Sequence, residues 1–449
     1  MRTRGSHLLI FILTLAALGA GLAALVAKRS RSRGVSQVLA AAESPAPARR
    51  SLPPLPQRPA SPRLKALRQR AAEAASRVRG LGWTGEVGMT ELSGWEYGTR
   101  TKEIADVLGT DDLKGLSRLA VAGGMLPEGT DLASLAVSFT AASAGATYSP
   151  LDKQVLLVSD RGGPRDSGLL THEFVHALQD QHFDLLRMIL ARPFSFDREE
   201  AIFALVEGDA VSVERRVTQG EAWGRKPLDV VAREEDERFA SYRKGLGAFF
   251  PPLLTETFIF RYRDGLRFVE TMRRARPAVS LDEVFRRPPV SSEQVLHPEK
   301  YLAGETPRAV ELNVDEFDGR GWRLTGTTPL GEVGVRGLLM SGVAADEARR
   351  AAAGWGGDRS FVFEREGRAP VFVWTTVWDT GRDAQEFFRA YNEMLRQRAE
   401  PGASDRGEAE RAWREGAAHT RVRLEGDSVL IVRGAEADSG EAFAIADGR

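Results

Sequence analysis

Two histidines that bracket a glutamate impose the strongest constraint on this chain. His172 and His176 stand four residues apart, with Glu173 between them, in the stretch Leu169–Leu186, which contains neither proline nor glycine. Apolar residues recur through this stretch at helical spacing. The sequence therefore predicts an α-helix on which both imidazoles lie on one face, about one turn apart. In a chain with 6 histidines and 62 acidic residues, chance produces such a pattern on the order of 0.01 times.

This pattern predicts a catalytic zinc site rather than a structural one. The chain has no cysteine, which excludes disulfides and thiolate metal sites, so zinc must be held by histidine and carboxylate. Glu173 lies beside the two imidazoles, where it reaches a water molecule next to the metal without ligating the metal. We expect His172 and His176 to bind zinc and Glu173 to act as general base. The alternative is a pair of half-buried histidines with a solvated glutamate.

Two candidates compete for the third zinc ligand. His182 has the spacing of the metzincin motif HExxHxxGxxH, but Gln179 stands where that motif needs a glycine to turn the chain. On a continuous helix His182 points about 240° away from His176. Glu207 ends the apolar run Ile202–Val206, where a carboxylate costs free energy unless it is paired or bound to a metal. Glu207 is therefore the expected ligand. The alternatives on the same segment are Glu199, Glu200 and Glu214.

An oxyanion stabiliser is also expected for hydrolysis of an amide. His297, in the stretch Gln294–Pro298, is the first candidate, and Tyr301 and Tyr148 are the reserves. A structural role is the alternative for His297, because a histidine outside the motif is often structural.

Further polar residues are candidates for supporting roles. Asp180 and Asp209 are candidates for holding the N–H of a ligand imidazole, against the alternative of solvated or capping carboxylates. Trp355 and Asp358, in GWGGDR, predict a tight turn with a buried tryptophan and a capping aspartate rather than a second site.

The N-terminal region predicts a membrane anchor and a stalk. Leu8–Ala27 is twenty residues long and carries no charge, which is enough to span a bilayer. A cleaved signal peptide is the alternative. The Pro-rich stretch Ser44–Pro62 predicts a stiff stalk and favours a body on the extracytoplasmic side. The basic residues after the span favour the cytoplasm instead.

Several stretches resemble known proteins. HEFVHALQDQHFDL together with EGDA resembles gluzincin-type zinc metallopeptidases. From Tyr148 to its C-terminus the chain also resembles a poorly characterised family of membrane-anchored or surface zincin-like proteins of bacteria and archaea. That second resemblance depends on HEFVHALQDQHFDL, SSEQVLHPEKY and GWGGDR, followed by VWDT and DAQEFF. It implies a zincin-like fold with zinc, and no particular substrate.

The sequence predicts an α+β fold in four parts. Residues 1–27 form the anchor or signal peptide, 28–62 the basic and Pro-rich linker, 63–309 a mostly helical zincin-like domain, and 310–449 a smaller α+β C-terminal domain. In the zincin-like domain an edge hairpin, Ala146–Ser149 with Gln154–Val158, leads into the histidine helix. Strands in the C-terminal domain are predicted at Gly334–Met340, Ser360–Glu364, Pro370–Val377, Thr420–Leu424 and Ser428–Arg433, and a helix at Asp383–Arg396.

The predicted function is zinc-dependent hydrolysis of peptide bonds by a membrane-anchored envelope protein. Its partners are a protein or peptide substrate and a membrane. Nucleic acid is not expected, because 62 basic residues balance 62 acidic ones and leave no overall field. One alternative is an inactive zinc-binding surface or scaffold protein that acts through its C-terminal domain. Another is metal-dependent hydrolysis of a non-peptide amide.

Overall fold

The computed structural model describes residues 52–143, 145–161, 167–189, 194–247, 250–275, 280–400, 404–405 and 408–447. Helices hold about 58% of the structure and strands 16%, in two sheets, so the predicted α+β class with a β-rich C-terminal domain is confirmed. Within these ranges no helix is long and apolar enough to cross a bilayer. The predicted anchor Leu8–Ala27 lies outside the described residues.

The secondary structure is numbered along the chain. The helices are α1 Pro62–Arg79, α2 Gly94–Leu108, α3 Asp111–Ala122, α4 Leu132–Ser143, α5 Ser167–Phe183, α6 Leu185–Ile189, α7 Phe196–Gln219, α8 Leu228–Leu246, α9 Pro252–Ala275, α10 Leu281–Arg286, α11 Ser292–Leu296, α12 Pro298–Ala303, α13 Val314–Gly319, α14 Gly331–Leu339, α15 Ala345–Ala352, α16 Gly381–Arg396 and α17 Glu436–Ala446. The strands are β1 Gly88–Leu92, β2 Ala146–Ser149, β3 Gln154–Val158, β4 Arg323–Thr328, β5 Trp355–Glu364, β6 Val371–Trp378, β7 Ser404–Asp405, β8 Glu410–Glu415, β9 Ala418–Glu425 and β10 Ser428–Gly434.

The chain divides into two compact units, each of them discontinuous in sequence. Unit 1 takes the described residues within Met1–Asp111, Ala133–Ala191 and Val206–Gly245, and unit 2 takes those within Asp112–Leu132, Arg192–Leu205 and Leu246–Arg449. Within residues 63–449 the sequence predicted one domain boundary, between residues 309 and 310, whereas these units interleave along the chain. The predicted domain bounds stay a prediction.

Helix α5, which carries the histidine motif, lies in the core of unit 1. The predicted helix is confirmed, and it continues without interruption past Gln179 to Phe183. Its apolar residues pack with α1 and with strands β2 and β3 in one buried cluster, which includes Leu64, Ala71, Ala75, Ala146, Tyr148, Val155, Leu157, Leu170, Phe174, Val175, Ala177 and Leu178. Burial on several sides fixes the helix in place, and with it the direction of both imidazoles.

The small sheet of unit 1 has the strand order β1-β3-β2. Strands β2 and β3 form the predicted hairpin, in which Tyr148 lies opposite Val155, and β2 is the edge strand as expected. Strand β1, which the sequence did not predict, pairs with β3 in parallel. All four residues of β2 are buried, so this edge is covered in the structure.

Residues 52–61 have no regular secondary structure but lie against unit 1. The Arg58 guanidinium donates to both carboxylate oxygens of Glu96, at 3.0 and 2.5 Å. Arg100 Nη1 donates to the carbonyl oxygen of Pro53 at 2.8 Å, and Leu55 packs on a buried cluster of unit 1. The last residues of the predicted stalk therefore contact the body, and its earlier residues lie outside the described ranges.

Unit 2 contains a seven-stranded antiparallel sheet in the order β4-β5-β6-β10-β9-β8-β7. Side chains alternate between the faces of each strand. On one face Val371 and Val373 pack with Phe443 of α17. On the other face Trp374 contacts Phe387 of α16 edge to face, at 5.7 Å between ring centroids. The predicted helix at 383–396 and the four predicted strands that lie in β5, β6, β9 and β10 are confirmed.

The predicted strand Gly334–Met340 is wrong, because Gly334 to Leu339 belong to helix α14 and Met340 caps its C-terminus. Every residue of α14 is buried, so the helix has no exposed face to give its sequence a helical period. Gly337 permits close packing against α9, since a Cβ there would lie 2.9 Å from the Cα of Leu253. The glycines of this helix were mistaken for glycines of β-turns.

The predicted buried tryptophan and capping aspartate are both present in unit 2. Trp355 is fully buried, and its Nε1 donates to Asp358 at 3.1 Å. Asp358 also accepts from the backbone N–H groups of Leu330 and Gly331, at 2.9 Å each, and so caps the start of α14. The predicted tight turn is wrong, because Trp355 begins strand β5, with a bulge between it and Gly357.

Candidate metal centre

Three side chains of unit 1 converge on one point. His172 Nε2 lies 3.2 Å from Glu207 Oε2, and His176 Nε2 lies 3.7 Å from the same oxygen. One ligand atom from each of the three residues lies within 4.8 Å of the other two. The helical spacing of His172 and His176 brings their rings to 4.7 Å between centroids, and Glu207 reaches them from α7. Two imidazole nitrogens and one carboxylate form a donor set typical of a catalytic zinc site.

The far side of each imidazole has a polar neighbour that orients it. His176 Nδ1 lies 2.8 Å from Gln179 Oε1, and His172 Nδ1 lies 3.3 Å from Glu214 Oε2. For His176 the Gln179 oxygen keeps the hydrogen on Nδ1 and leaves Nε2 with a lone pair directed at Glu207. Glu214 lies beside His172 Nδ1 as an ion-pair partner, since that nitrogen makes no hydrogen bond with the described residues. Both rings therefore present Nε2 to Glu207.

Glu173 is buried in the same cluster but takes no part in the three-residue convergence. Its Oε2 accepts a hydrogen bond from the backbone N–H of Tyr148 at 2.6 Å. Its Oε1 is buried and has no hydrogen-bond partner among the residues that the structure describes. Strand β2 thus fixes one oxygen of Glu173 and leaves the other for chemistry.

The carboxylates give the site a negative potential. Burial alone would lower the pKa of His172, but its contacts with Glu207 and Glu214 outweigh burial and raise that pKa to about 10. Burial would raise the pKa of Glu207, but its contacts with His172 and His176 hold it below its usual range. Burial raises the pKa of Glu173 to about 8. A site that favours a cationic imidazole so strongly also favours a metal cation in the same place.

The residues present fit a zinc ion. Glu207 Oε1 is buried and, over the described ranges, has no hydrogen-bond partner, which is costly for a carboxylate oxygen unless a cation neutralises it. His172, Glu173, His176 and Glu207 are only 0–2% exposed. We conclude that His172, His176 and Glu207 are positioned to hold the ion, with Glu173 beside it.

The rejected third ligand, His182, faces elsewhere. It lies near the end of α5, is exposed, and its Nε2 lies 2.7 Å from the carbonyl oxygen of Gly82. Among the alternative glutamates, Glu200 belongs to unit 2, where it forms a buried ion pair with Arg261 at 2.5 Å. Glu199 is also buried in unit 2. Glu214 reaches His172, but at Nδ1 rather than at the point of convergence.

The predicted oxyanion stabilisers have other contacts. His297 and Tyr301 belong to unit 2, where His297 Nε2 lies 3.1 Å from Glu332 Oε1 and the Tyr301 hydroxyl donates to the carbonyl oxygen of Arg287. Glu332 raises the pKa of His297 above its usual value. The role of His297 as oxyanion stabiliser stays a prediction.

Tyr148, Asp180 and Asp209 also lie in unit 1, where their side chains bond to other side chains. The Tyr148 hydroxyl donates to Asp180 Oδ2 at 2.7 Å, and Lys153 forms an ion pair with the same oxygen at 2.6 Å. Asp180 therefore ties the hairpin to α5. Asp209 contacts Gln179, whose Nε2 donates a hydrogen bond to Asp209 Oδ2 at 3.1 Å.

A second group of carboxylates, in unit 2, surrounds a lysine instead of a metal position. Glu293, Glu305 and Asp379 come close enough to share an ion. Lys300 Nζ lies 2.6 to 2.7 Å from an oxygen of each. The ammonium group supplies the positive charge there, so this group needs no metal.

Sequence reasoning missed the roles of Gln179 and Glu214 in orienting the histidines. Gln179 follows His176 by three residues, and Glu214 follows Glu207 by seven, so each shares a helical face with a ligand. That spacing was the available signal. Gln179 was considered only as a residue that is not glycine, and Glu214 only as a rival ligand.

Comparison with known proteins bears on unit 2 rather than on the metal centre. A family model described as "Domain of unknown function (DUF8575)" matches residues 322–444, which run from β4 into α17 and make up about a quarter of the 449 residues. His172, His176 and Glu207 lie outside the matched range. No curated protein and no solved structure matches the chain.

Proposed function

We propose that this chain is a zinc-dependent hydrolase that cleaves peptide bonds. The observation that carries the proposal is the convergence of His172 Nε2, His176 Nε2 and Glu207 Oε2, beside a buried glutamate with one oxygen left over. The His, His, Glu set is that of the gluzincins, which the stretches HEFVH and EGDA also resemble.

In this proposal some residues bind the metal and another residue transfers the proton. Zinc, when bound, activates water and polarises the carbonyl group of the substrate. Glu173 accepts a proton at Oε1 and later delivers it to the leaving amine. The hydrogen bond from the Tyr148 N–H holds the other oxygen, so Oε1 keeps one direction throughout. Burial raises the pKa of Glu173, and a cation held by His172, His176 and Glu207 would lower that pKa, so that Glu173 would accept a proton near neutral pH.

An inactive metal-binding protein is the second candidate, and one observation favours it. The four central side chains are 0–2% exposed, and the edge strand β2 is buried as well, so this conformation admits no peptide. The presence of Glu173 favours catalysis, because a purely structural metal site does not need a buried carboxylate that neither binds the metal nor forms an ion pair. Hydrolysis therefore requires a conformation in which β2 and Glu173 become accessible.

Digestion of a peptide library tests the proposal. Glu173→Gln keeps the shape of the side chain but cannot accept the proton, so it is expected to retain zinc and lose about 10² to 10⁴ of the wild-type rate. Glu237→Gln is the matched control, because it makes the same change at an exposed glutamate of unit 1 and is expected to leave the rate unchanged. Equal rates for wild type and Glu173→Gln would overturn the assignment of the base. A wild type that binds zinc and cleaves no peptide would support the second candidate.

We also propose that Leu8–Ala27 anchors the chain in a membrane with its body on the extracytoplasmic side. The support is the length and hydrophobicity of that segment. Residues 52–59 lie against unit 1 through Arg58 and Arg100, so any spacer between the membrane and the body ends near residue 52. Accessibility of the body to protease added outside intact cells tests the orientation.

A further inference from the structure

Helix α1 ends in a buried arginine that leads, through two further side chains, to a proposed zinc ligand. Arg79 is the last residue of α1, and its Nε donates to Asp209 Oδ2 at 2.6 Å with both side chains almost completely buried. Gln179 Nε2 donates to the same oxygen at 3.1 Å. Gln179 Oε1 lies 2.8 Å from His176 Nδ1.

The orientation of the Gln179 amide follows from its neighbours. Its nitrogen faces two acceptors, the carbonyl oxygen of Val206 at 3.0 Å and Asp209 Oδ2, and neither a carbonyl nor a carboxylate can donate. The amide oxygen must therefore face His176 Nδ1, which then carries the hydrogen. His176 Nε2 consequently keeps its lone pair, 3.7 Å from Glu207 Oε2.

A reversed amide would abolish this arrangement. Its nitrogen would donate to His176 Nδ1, the hydrogen of the imidazole would move to Nε2, and that nitrogen would no longer bind a cation. The oxygen of Asp209 opposes the reversal, because a reversed amide would bring two oxygens together. The Arg79 guanidinium keeps that oxygen in place and favours its charged form, since burying a carboxylate costs free energy that a paired cation offsets.

We propose that Arg79 is a positioning residue for zinc binding, acting through Asp209 and Gln179 on the tautomer of His176. This inference rests on the proposed zinc site and extends it to helix α1, which precedes the histidine motif by about ninety residues. Accordingly, α1 belongs to the metal-binding apparatus as well as to the core. The alternative is that the Arg79–Asp209 pair only joins α1 to α7.

The test is a double-mutant cycle in the full chain, with zinc affinity measured by competition against a chromophoric chelator. Arg79→Met is expected to weaken zinc binding by about 10- to 100-fold, the usual effect of losing a group behind a metal ligand. Gln179→Leu is expected to weaken it at least as much. Adding Arg79→Met to Gln179→Leu is expected to weaken binding no further, because the two residues act in series.

Two controls separate positioning from stability. Arg77→Met makes the same substitution at an exposed position of the same helix and is expected to leave zinc affinity unchanged. Arg79→Lys keeps a cation beside Asp209 and is expected to restore most of the affinity. If Arg79→Met does not fold, Arg79→Gln, which keeps a donor without the charge, takes its place in the cycle with a smaller loss expected.

The visible spectrum of the cobalt-substituted protein supplies a readout that a stability role would not move. The bands report the ligand geometry, so folded Arg79→Met and Gln179→Leu are expected to shift them alike, with Arg77→Met matching wild type. A wild type that binds zinc, together with an Arg79→Met of equal affinity and spectrum, would overturn the positioning role alone. Additive losses in the double variant would do the same. A wild type that binds neither metal would overturn the proposed zinc site itself.

Discussion

Replacing Glu207 or His182 by alanine separates the two candidate third ligands. Glu207 Oε2 lies 3.2 and 3.7 Å from the two imidazole nitrogens, so Glu207→Ala removes one of the three proposed protein ligands. His182 is exposed and contacts only the carbonyl oxygen of Gly82 among the hydrogen bonds that the structure describes for it. We expect the first substitution to impair zinc binding and the second to leave it nearly unchanged.

The expected difference in zinc affinity between the two variants follows from the position of each side chain. Changes behind a metal ligand cost about 10- to 100-fold in affinity, and removal of the ligand itself must exceed the upper end of that range. Glu207→Ala should therefore lose at least about 100-fold, or about 2.8 kcal/mol of binding free energy. His182→Ala forfeits one exposed hydrogen bond, worth at most about 1 kcal/mol of unfolding free energy.

A side-by-side zinc titration of both variants at neutral pH, with a competing chelator, measures these affinities. Circular dichroism of each variant before titration shows that loss of zinc is not loss of fold. If His182→Ala loses the metal and Glu207→Ala keeps it, the ligand set is wrong, and α5 must break where the structure has it continuous.

Three further predictions concern stability and location. In the metal-free protein, the free energy of unfolding of Glu173→Gln should increase relative to that of wild type as the pH rises from 5 to 8. Burial raises the pKa of Glu173 to about 8 in the folded wild type, whereas the unfolded chain releases this proton above about pH 4.5. The folded wild type therefore loses stability as the pH rises, and the glutamine variant does not. Urea unfolding in EDTA measures this gain, and a constant difference between the two proteins would contradict it. Gly337→Ala should destabilise the fold by about 1–3 kcal/mol, because the new Cβ meets Leu253 at close range. Gly440→Ala should not destabilise it, because no atom lies within 4 Å of a Cβ at that position. Thermal unfolding of the two variants tests this difference. Deletion of Leu8–Ala27 should move the chain from the membrane fraction to the soluble one, and an unchanged distribution would argue against the anchor.

The histidine helix and the hairpin before it could be predicted because their signals are local. His172 and His176 need only one helical turn, and the hairpin is visible in the sequence as two short segments, β2 and the apolar β3, on either side of a Pro-containing turn. The continuity of α5 also followed from a single residue, since Gln179 cannot turn the chain as glycine does. Glu207 was predicted from its burial cost, and the structure brings it to both histidines.

Other features depended on partners that are distant in sequence. Helix α14 is buried on every side, so its sequence shows no helical period, and Gly337 is explained only by the close approach of Leu253 in α9. Strand β1 is recognisable only through its parallel pairing with β3. The contacts of Asp209 with Gln179 and with Arg79 join three separate segments, and no local sequence pattern predicts them.

The seven-stranded sheet of unit 2 contains strands that the local sequence predicts and a strand that it does not. Strands β6 and β10 contain runs of consecutive apolar residues, because helices α16 and α17 cover opposite faces of the sheet, whereas β9 alternates between polar and apolar residues. Trp374 and Val373 are neighbours that point to opposite sides for this reason. The short strand β7 has two residues, too few for any period.

Anomalous diffraction at the zinc absorption edge, from crystals of the full chain purified without chelators, tests the central claim most directly. We predict one strong peak per chain, about 2.0 to 2.2 Å from His172 Nε2, His176 Nε2 and an oxygen of Glu207, with Glu173 close by and outside the ligand set. A peak held by His182, or crystals that take up no zinc at these three residues even after soaking, would contradict the account.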